Sequence, residues 1–407
     1  MKRPIAISLA PNLEGIDVLL ALKLLFSPFS WFNGGHVKAF EQWFREYFEV
    51  FYAVSFASAR GALIGVLKSA GIQQGDEVIL QAFTCVAVPN AAIAVGGKPV
   101  YVDIDSAFTL DVEDFERKIT KKTKAIIVQH TFGIAADMKK IRFIAKKHNL
   151  FVIEDCAHVI GGMYEGKKLG TLGDAAIFSF GRDKAFSSVF GGMAITNKEE
   201  LGKKIRQFQK TQDYPSIFWI FQQLFHPVAF FLILPLYNFF SIGKILLLVL
   251  QKVRLLSFPV LPLEKQGKTD EQCLKKMPNP LAKLAFFQLK KIEVFNKKRK
   301  ELAKIYAEIL GGRYIDGTVY LRYPFLVEKR DSLFEALKKK GVYIGKWYSE
   351  VVDPKGTNFA NIFYQKGSCL NAERLAKKVI NLPTYPTMTR DDAKKTALLI
   401  KQYVANT

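Results

Sequence analysis

Between residues 60 and 210, short β-branched runs alternate with longer runs whose apolar positions recur every three or four residues. Spacing at i, i+3 and i+4 marks a helix with one apolar face, whereas a bare run of four or five apolar residues marks a strand buried on both sides. Read this way, the segment predicts helices at 61–70, 87–95, 112–119 and 138–148, and strands at 77–80, 99–102, 125–128 and 150–153. Such alternation predicts an α/β fold: a mostly parallel sheet covered by helices, with ligands at the carboxyl ends of its strands. Farther on, 281–310 reads as one long Lys-rich helix, followed by mixed strand and helix signals. The expected division is a large domain over 1–280, then a connecting helix and a small C-terminal α+β domain over 281–407.

One stretch breaks the pattern. Residues 217–250 hold a single charge, Lys244, among many Phe and Leu, with Pro227 and Pro235 inside. The run reads as an insertion at about 214–260. As helices, its two arms, 217–234 and 242–256, would be ~27 and ~22 Å long, short of the ~30 Å hydrocarbon core. Both flanks of the insertion must share one compartment, so a re-entrant or interfacial hairpin is expected over 217–256, not a single crossing. Lys203, Lys204, Arg206 and Lys210 precede it, and Lys252 and Arg254 close it, as anionic cytoplasmic lipid would favour. A buried helical hairpin at an oligomer interface is the alternative.

A chain of 407 residues, 49% hydrophobic and 24% charged, can bury a large core. Its net charge of +22 favours an anionic partner, but the basic residues are dispersed and form no recognised docking helix, which speaks against nucleic acid. Cys85, Cys156, Cys273 and Cys369 form no CxxC pair, and the five histidines include no pair at i, i+4. Neither a disulfide framework nor a metal site is expected, and a cytoplasmic setting on the inner face of the membrane fits best. Lys2 and Arg3 precede Pro4, Pro11, Asn12 and Glu14, a composition that predicts no signal peptide.

The chemistry centres on residues 178–196, FSFGRDKAFSSVFGGMAIT, where Lys184 stands among small and polar residues between two apolar runs. A lysine beside a strand end is ordinarily a solvated surface charge. Glu154 and Asp155, directly after the strand at 150–153, stand where a functional carboxylate would be placed, and read equally well as a helix N-cap or a surface acid. Yet Asp155 and Lys184 fall at one rim of the same sheet, which admits a second reading. A lysine amine forms a Schiff base with the aldehyde of pyridoxal phosphate (PLP), whose ring nitrogen needs a carboxylate. Asp155 offers the carboxylate; Ser58, Arg60, Gly61 and Ser179 offer hydroxyl, guanidinium and amide groups for a phosphate.

From about residue 34 to 403, and on the stretches GDEVI, KPVYVDID, IEDCAH, GDAAIFSFGRDK and INLPTYPTMT, the chain resembles the DegT-type sugar aminotransferases. These are fold type I PLP enzymes acting on nucleotide-linked keto-sugars. The resemblance implies that Lys184 is the Schiff-base lysine and proton carrier, that Asp155 faces the pyridinium nitrogen, and that Ser179 and the Arg60–Gly61 turn hold the phosphate. His158 takes the place of a common Gln beside the cofactor's phenolic oxygen; a structural histidine is the other reading. The resemblance further implies an amino donor such as glutamate, a keto-sugar acceptor that is nucleotide-linked or even lipid-linked, a role in surface polysaccharide assembly, and a homodimer. Three departures from the family stand out. Cys85 replaces an aromatic that stacks on the ring, Ala59 and Arg60 replace Gly-Thr, and Leu274 replaces an asparagine donated across the dimer. Lys184, where some relatives carry histidine, favours transamination over a PLP-dependent sugar dehydratase. A non-catalytic PLP-binding membrane scaffold is the remaining alternative. The segment GVYIGKWYSEVVDP offers Lys346, Trp347 and Tyr348 to the substrate side.

Overall fold

The computed structural model describes residues 4–406, so Lys2 and Arg3 lie outside the described residues. Seven strands form the central sheet: β1 (Tyr52–Phe56), β2 (Glu77–Gln81), β3 (Lys98–Val102), β4 (Thr123–Gln129), β5 (Phe151–Asp155), β6 (Ala175–Ser179) and β7 (Gly192–Thr196), in the spatial order β1-β7-β6-β5-β4-β2-β3. Strands β2 to β6 pair in parallel, as the alternation predicts. Helices cover both faces, so successive residues of one strand are all buried: Val78 and Ile79 are 0% and Leu80 1% exposed. Ile79 and Val128 join the core on one side of the sheet, Val78 and Ile127 the core on the other.

Strand β7 runs antiparallel to both β6 and β1, pairing Gly192 with Ser179 and with Phe56. The start of β7 therefore lies at the same edge as the carboxyl ends of β5 and β6, and residues 180–191, which carry Lys184, are laid across that rim. Helix α1 (Gly15–Leu25) precedes the sheet, and α2 (Ala59–Ser69) leaves β1 with its N-terminus at the rim.

The apolar insertion forms α3 (Ile217–Leu236) and α4 (Ile242–Lys252). The first arm corrects the expectation of a membrane-inserted hairpin. It is long and apolar enough to cross a bilayer, but 56% of its apolar window is buried inside the protein. It packs on α1 and on α5 (Asn279–Leu289), and its Phe230, Ile233 and Leu234 form one core with Leu13 and Val18. The run is apolar all round because protein covers much of its surface. The second arm differs. Only Gly243 of α4 is fully buried, and Ile242, Ile245, Leu248, Val249 and Val253 are 42–65% exposed along one stripe.

The single helix expected over 281–310 is two, α5 and α6 (Ile292–Leu310). Between them Lys291 leaves helical geometry at ψ 3°, and its ammonium turns to Glu14 and Asp17 at the start of α1. That ion pairing offsets the hydrogen bonding lost at the break. Beyond α6, β8 (Arg322–Leu326) pairs antiparallel with β9 (Val379–Pro383), and α7 (Arg390–Ala405) packs on α6 around Leu302, Tyr306 and Ile400. A short parallel pairing of Val352–Asp353 with Thr84–Cys85 ties this C-terminal part to the rim of the sheet.

Candidate active site

A cavity of about 500 Å³ opens at the carboxyl edge of the sheet, within the ~300–1,000 Å³ span of small-molecule sites. The fold brings seven of the eight residues that the sequence offers to the cofactor to its wall: Lys184, Asp155, His158, Ser179, Cys85, Arg60 and Ser58. Gly61 lies outside the lining. Its N–H donates to Ser58 Oγ at 3.1 Å, and a Cβ there would meet the Cys273 carbonyl oxygen at 2.2 Å. Glycine at 61 thus serves the packing of α2 against residues 273–274.

Strand periodicity sorts the acidic pair. Successive side chains leave a strand on opposite faces, so Asp155 lines the cavity while Glu154 turns the other way. Glu154 is fully buried and accepts hydrogen bonds from the N–H groups of Gly170, Leu172 and Gly173, and it pairs with His130 Nε2 at 3.0 Å. His130, Glu154 and Cys156 bring three ligand-type atoms within 4.8 Å of one another, yet both Glu154 oxygens are already engaged by the 170–173 turn and His130. The trio is a structural link between β4, β5 and that turn. Asp155 accepts one bond, from the Ala157 N–H at 2.9 Å. Burial pushes its carboxyl above the ordinary range, opposed by the Ala157 N–H and the charge of Lys184.

Lys184 is half-buried, with its ammonium 4.8 Å from the centre of the Trp347 ring. Its backbone is fixed by Asn12 Nδ2, which donates to the Lys184 carbonyl at 2.7 Å. Burial lowers its pKa; Asp183, Cys85 and Asp155 work against this, and Arg322 adds to it. Arg322 stacks on the same indole, its Cζ 3.1 Å from the ring centre, and donates to Asp183 at 2.8 Å.

His158 is 2% exposed and lies in a stack of rings, 6.0 Å from Phe132 and 5.4 Å from Trp347. Its Nδ1 accepts the Phe132 N–H at 3.1 Å. A backbone N–H can only donate, so the ring proton sits on Nε2, 3.3 Å from the Tyr348 hydroxyl. Burial, then the charges of Lys184 and Arg322, hold the imidazole neutral. Both ring nitrogens are therefore engaged, and the Tyr348 hydroxyl is the polar group that His158 presents to the cavity.

At the part of the rim where the sequence predicts a phosphate, Ser179 closes β6 and α2 points its first turn at the rim; the leading N–H groups of a helix have no intrahelical acceptor and carry its positive pole. The Ser58 hydroxyl is occupied, accepting from Gly61 and donating to the Cys273 carbonyl at 2.9 Å. The Arg60 guanidinium turns away from the helix axis, to Glu264 at 2.6 Å and the Pro259 carbonyl at 2.9 Å. Burial raises the pKa of the Cys85 thiol, against the opposing charge of Arg60.

Trp347 and Tyr348 reach the cavity, whereas the Lys346 ammonium pairs with Asp331 at 2.7 Å. The sequence reading missed Arg182, Asp183 and Phe190, all in the 180–191 excursion and detectable only by proximity to Lys184. It also missed Phe258, Pro259 and Val260 of the insertion, which wall the cavity and carry no sequence signal of doing so.

A family model described as the DegT/DnrJ/EryC1/StrS aminotransferase family matches residues 22–213 and 263–400, leaving 214–262 unmatched. The chain is 31% identical over 384 residues to an uncharacterized protein of Methanocaldococcus jannaschii, covering 90% of this chain and 89% of that one. It is 39% identical to the GDP-perosamine synthase of Escherichia coli O157:H7 over 200 residues, 49% of this chain and 55% of that protein. Among solved structures, DesV of S. venezuelae superposes with a TM-score of 0.73 at 25% identity, over 96% of this chain and 94% of that one.

Proposed function

Since the chain belongs to the DegT/DnrJ/EryC1/StrS aminotransferase family, whose members are PLP-dependent sugar aminotransferases, we propose that it transfers an amino group from glutamate to the keto carbon of a nucleotide-linked sugar for surface glycan synthesis. The single observation that carries this reading is the placement of Lys184 and Asp155 on one cavity wall, beside the N-terminus of α2.

The residues present fit PLP by their chemistry: an amine depressed by burial, a buried carboxylate with one oxygen bonded, and a helix N-terminus at one rim. When bound, PLP supplies an aldehyde for amine exchange and an electron sink for the carbon that loses its proton. Lys184 Nζ would be the amine that holds the group by its aldehyde and the base placed to move the proton at the substrate carbon, a task helped by its lowered pKa. Asp155 holds a proton at the ring nitrogen; a cationic partner there favours its charged form, which burial alone disfavours. Ser179 and the leading amides of α2 hold the phosphate, with Arg60 contributing only long-range charge because its guanidinium is committed to Glu264. Cys85 would line the ring's part of the cavity, and Tyr348, oriented by His158, would offer its hydroxyl to the phenolic oxygen.

The test is an absorbance spectrum of the full chain reconstituted with PLP, before and after glutamate. A visible band that moves to shorter wavelength and returns on adding a keto nucleotide-sugar is expected. A bound cofactor that ignores glutamate would overturn the donor, and no band at all would overturn the reading.

The outer stripe of α4 supports a finer proposal: this face rests on an anionic bilayer. Phe240 at its tip is 83% exposed and Leu248 65%, and exposed Lys252 and Arg254 end the stripe where lipid phosphates would lie. Co-sedimentation with phosphatidylglycerol vesicles, lost in Leu248→Glu and absent with phosphatidylcholine, is expected. Equal recovery of both proteins in the supernatant, or self-association through this face, would refute it. A homodimer is likewise proposed, and sedimentation of the purified chain decides it.

A further inference from the structure

A second cavity, of about 350 Å³, adjoins the first. The two share Ser58, Arg60, Phe190, Phe258 and Pro259 as a partition. Much of the outer wall comes from residues 214–262, the segment that the family model leaves unmatched: Trp219 and Gln222 of α3, Gln251 of α4, then Arg254 and Leu256. The lining joins a flat aromatic surface to amides. Phe190 and Trp219 pair at 5.6 Å with their rings tilted by 60°, and Gln272 lines the space, its buried Oε1 without a hydrogen-bond partner.

On the first cavity's side of the partition lies a further cation, Arg182. Arg182 donates to the Ser257 carbonyl at 2.8 Å and its hydroxyl at 2.9 Å, and lies 5.3 Å from the Phe190 ring. Among the described residues it pairs with no carboxylate. Burial brings its pKa down to about 10, against the charge of the neighbouring Asp183, whose carboxylate is bonded to Arg322. The acids nearby are committed: Glu264 to Arg60 and the Leu261 N–H, and Asp270 to the Gln272 N–H.

We propose that this insertion-built compartment receives the nucleoside of a nucleotide-linked sugar, with the diphosphate crossing the partition at Arg182. The proposal rests on the aminotransferase reading above and adds where the far half of its substrate sits. The keto-sugar would lie at Lys184 in the first cavity, the diphosphate against Arg182, and the base on Trp219, its edges met by Gln272 and Gln251. Stacking on an indole favours a base whatever its identity, because every base has a flat face. A polyprenyl diphosphate shares the charge but has no planar face or polar edge for the amides to meet.

The test uses the full chain loaded with PLP and measures equilibrium binding of GDP, UDP and dTDP, each against inorganic diphosphate and farnesyl diphosphate. One nucleoside diphosphate is expected to bind at least tenfold tighter than inorganic diphosphate and to quench tryptophan emission. Trp219→Leu and Gln272→Leu should remove that increment while leaving inorganic diphosphate affinity and the cofactor absorbance unchanged, and Trp219→Phe should retain most of it. Gln272→Leu deletes a buried atom without a partner and so guards against misfolding. Arg182→Gln should weaken both ligands. Nucleoside diphosphates no tighter than inorganic diphosphate, unaltered binding in both Leu variants, or tighter binding of farnesyl diphosphate would each overturn the compartment. If a keto nucleotide-sugar is still aminated with unchanged KM in the Leu variants, only the compartment falls; if it is not aminated by the wild type, the aminotransferase reading falls with it.

Discussion

Replacing Gly192 by alanine tests whether the N-terminus of α2 is the phosphate cup. Gly192 opens β7 directly beneath that helix, and a Cβ built on it would stand 2.4 Å from Ala59 N and Cα and 2.5 Å from the Ser58 carbonyl carbon. Ordinary contact begins at 3.4 Å, so the first turn must retreat by about 1 Å. All three neighbours are backbone, so no side chain can swing aside, and overpacking of this kind costs about 1–3 kcal/mol of stability. A 1 Å misplacement also spoils hydrogen bonds made to a bound phosphate, worth up to ~100-fold in a positioned site. We expect Gly192→Ala to weaken PLP affinity by about 10- to 100-fold, about 1.4–2.8 kcal/mol. The assay is titration of PLP into the cofactor-free chain, followed by absorbance, at a temperature where thermal unfolding shows the variant to be folded. Gly15→Ala, whose Cβ would meet nothing within 4 Å, should bind as the wild type does. A folded Gly192→Ala with undiminished affinity would refute the phosphate assignment, because the clash would have moved a helix end that holds nothing.

Three further outcomes are expected. Asp155→Asn should keep PLP but slow the glutamate half-reaction by about 100-fold or more, whereas Glu154→Gln should leave that rate nearly intact and cost about 2–3 kcal/mol of stability by facing an amide to buried donors; chemical denaturation with stopped-flow spectra separates them. In the cofactor-free chain only the neutral Lys184 amine captures PLP, and burial lowers its pKa, so the capture rate should rise with pH and level off below the ordinary lysine value of 10.5; a plateau at or above it would contradict the buried amine. Arg322→Met removes a charge that lowers that pKa and frees Asp183, which raises it, so the same profile should shift to higher pH.

The alternation of apolar runs, and the positions of Asp155 and Lys184 relative to strand ends, were legible because they are local: burial on both faces requires continuous apolar strands, and ligands collect at strand ends in parallel sheets. The helix at 61–70 and the strand at 150–153 are found within two residues of their expected limits, as α2 and β5. The motifs that carried the family resemblance are local too. What the sequence alone left open was direction and partnership. Glu154 and Asp155 are adjacent acids, and only the strand's pleat separates the structural one from the cavity one. Arg60 sits where a phosphate ligand was expected, but the choice between phosphate and Glu264 depends on a residue 204 positions away. The apolar run at 217–236 meets the length and composition of a membrane helix, and composition cannot tell lipid from protein as its apolar surroundings. The packing of α1 and α5 against it decides that, just as the return of residues 258–260 to the rim makes the insertion part of the site. Side-chain periodicity is set by the chain's own geometry and can be read residue by residue, whereas the neighbour that satisfies a charge or covers an apolar face is supplied by folding.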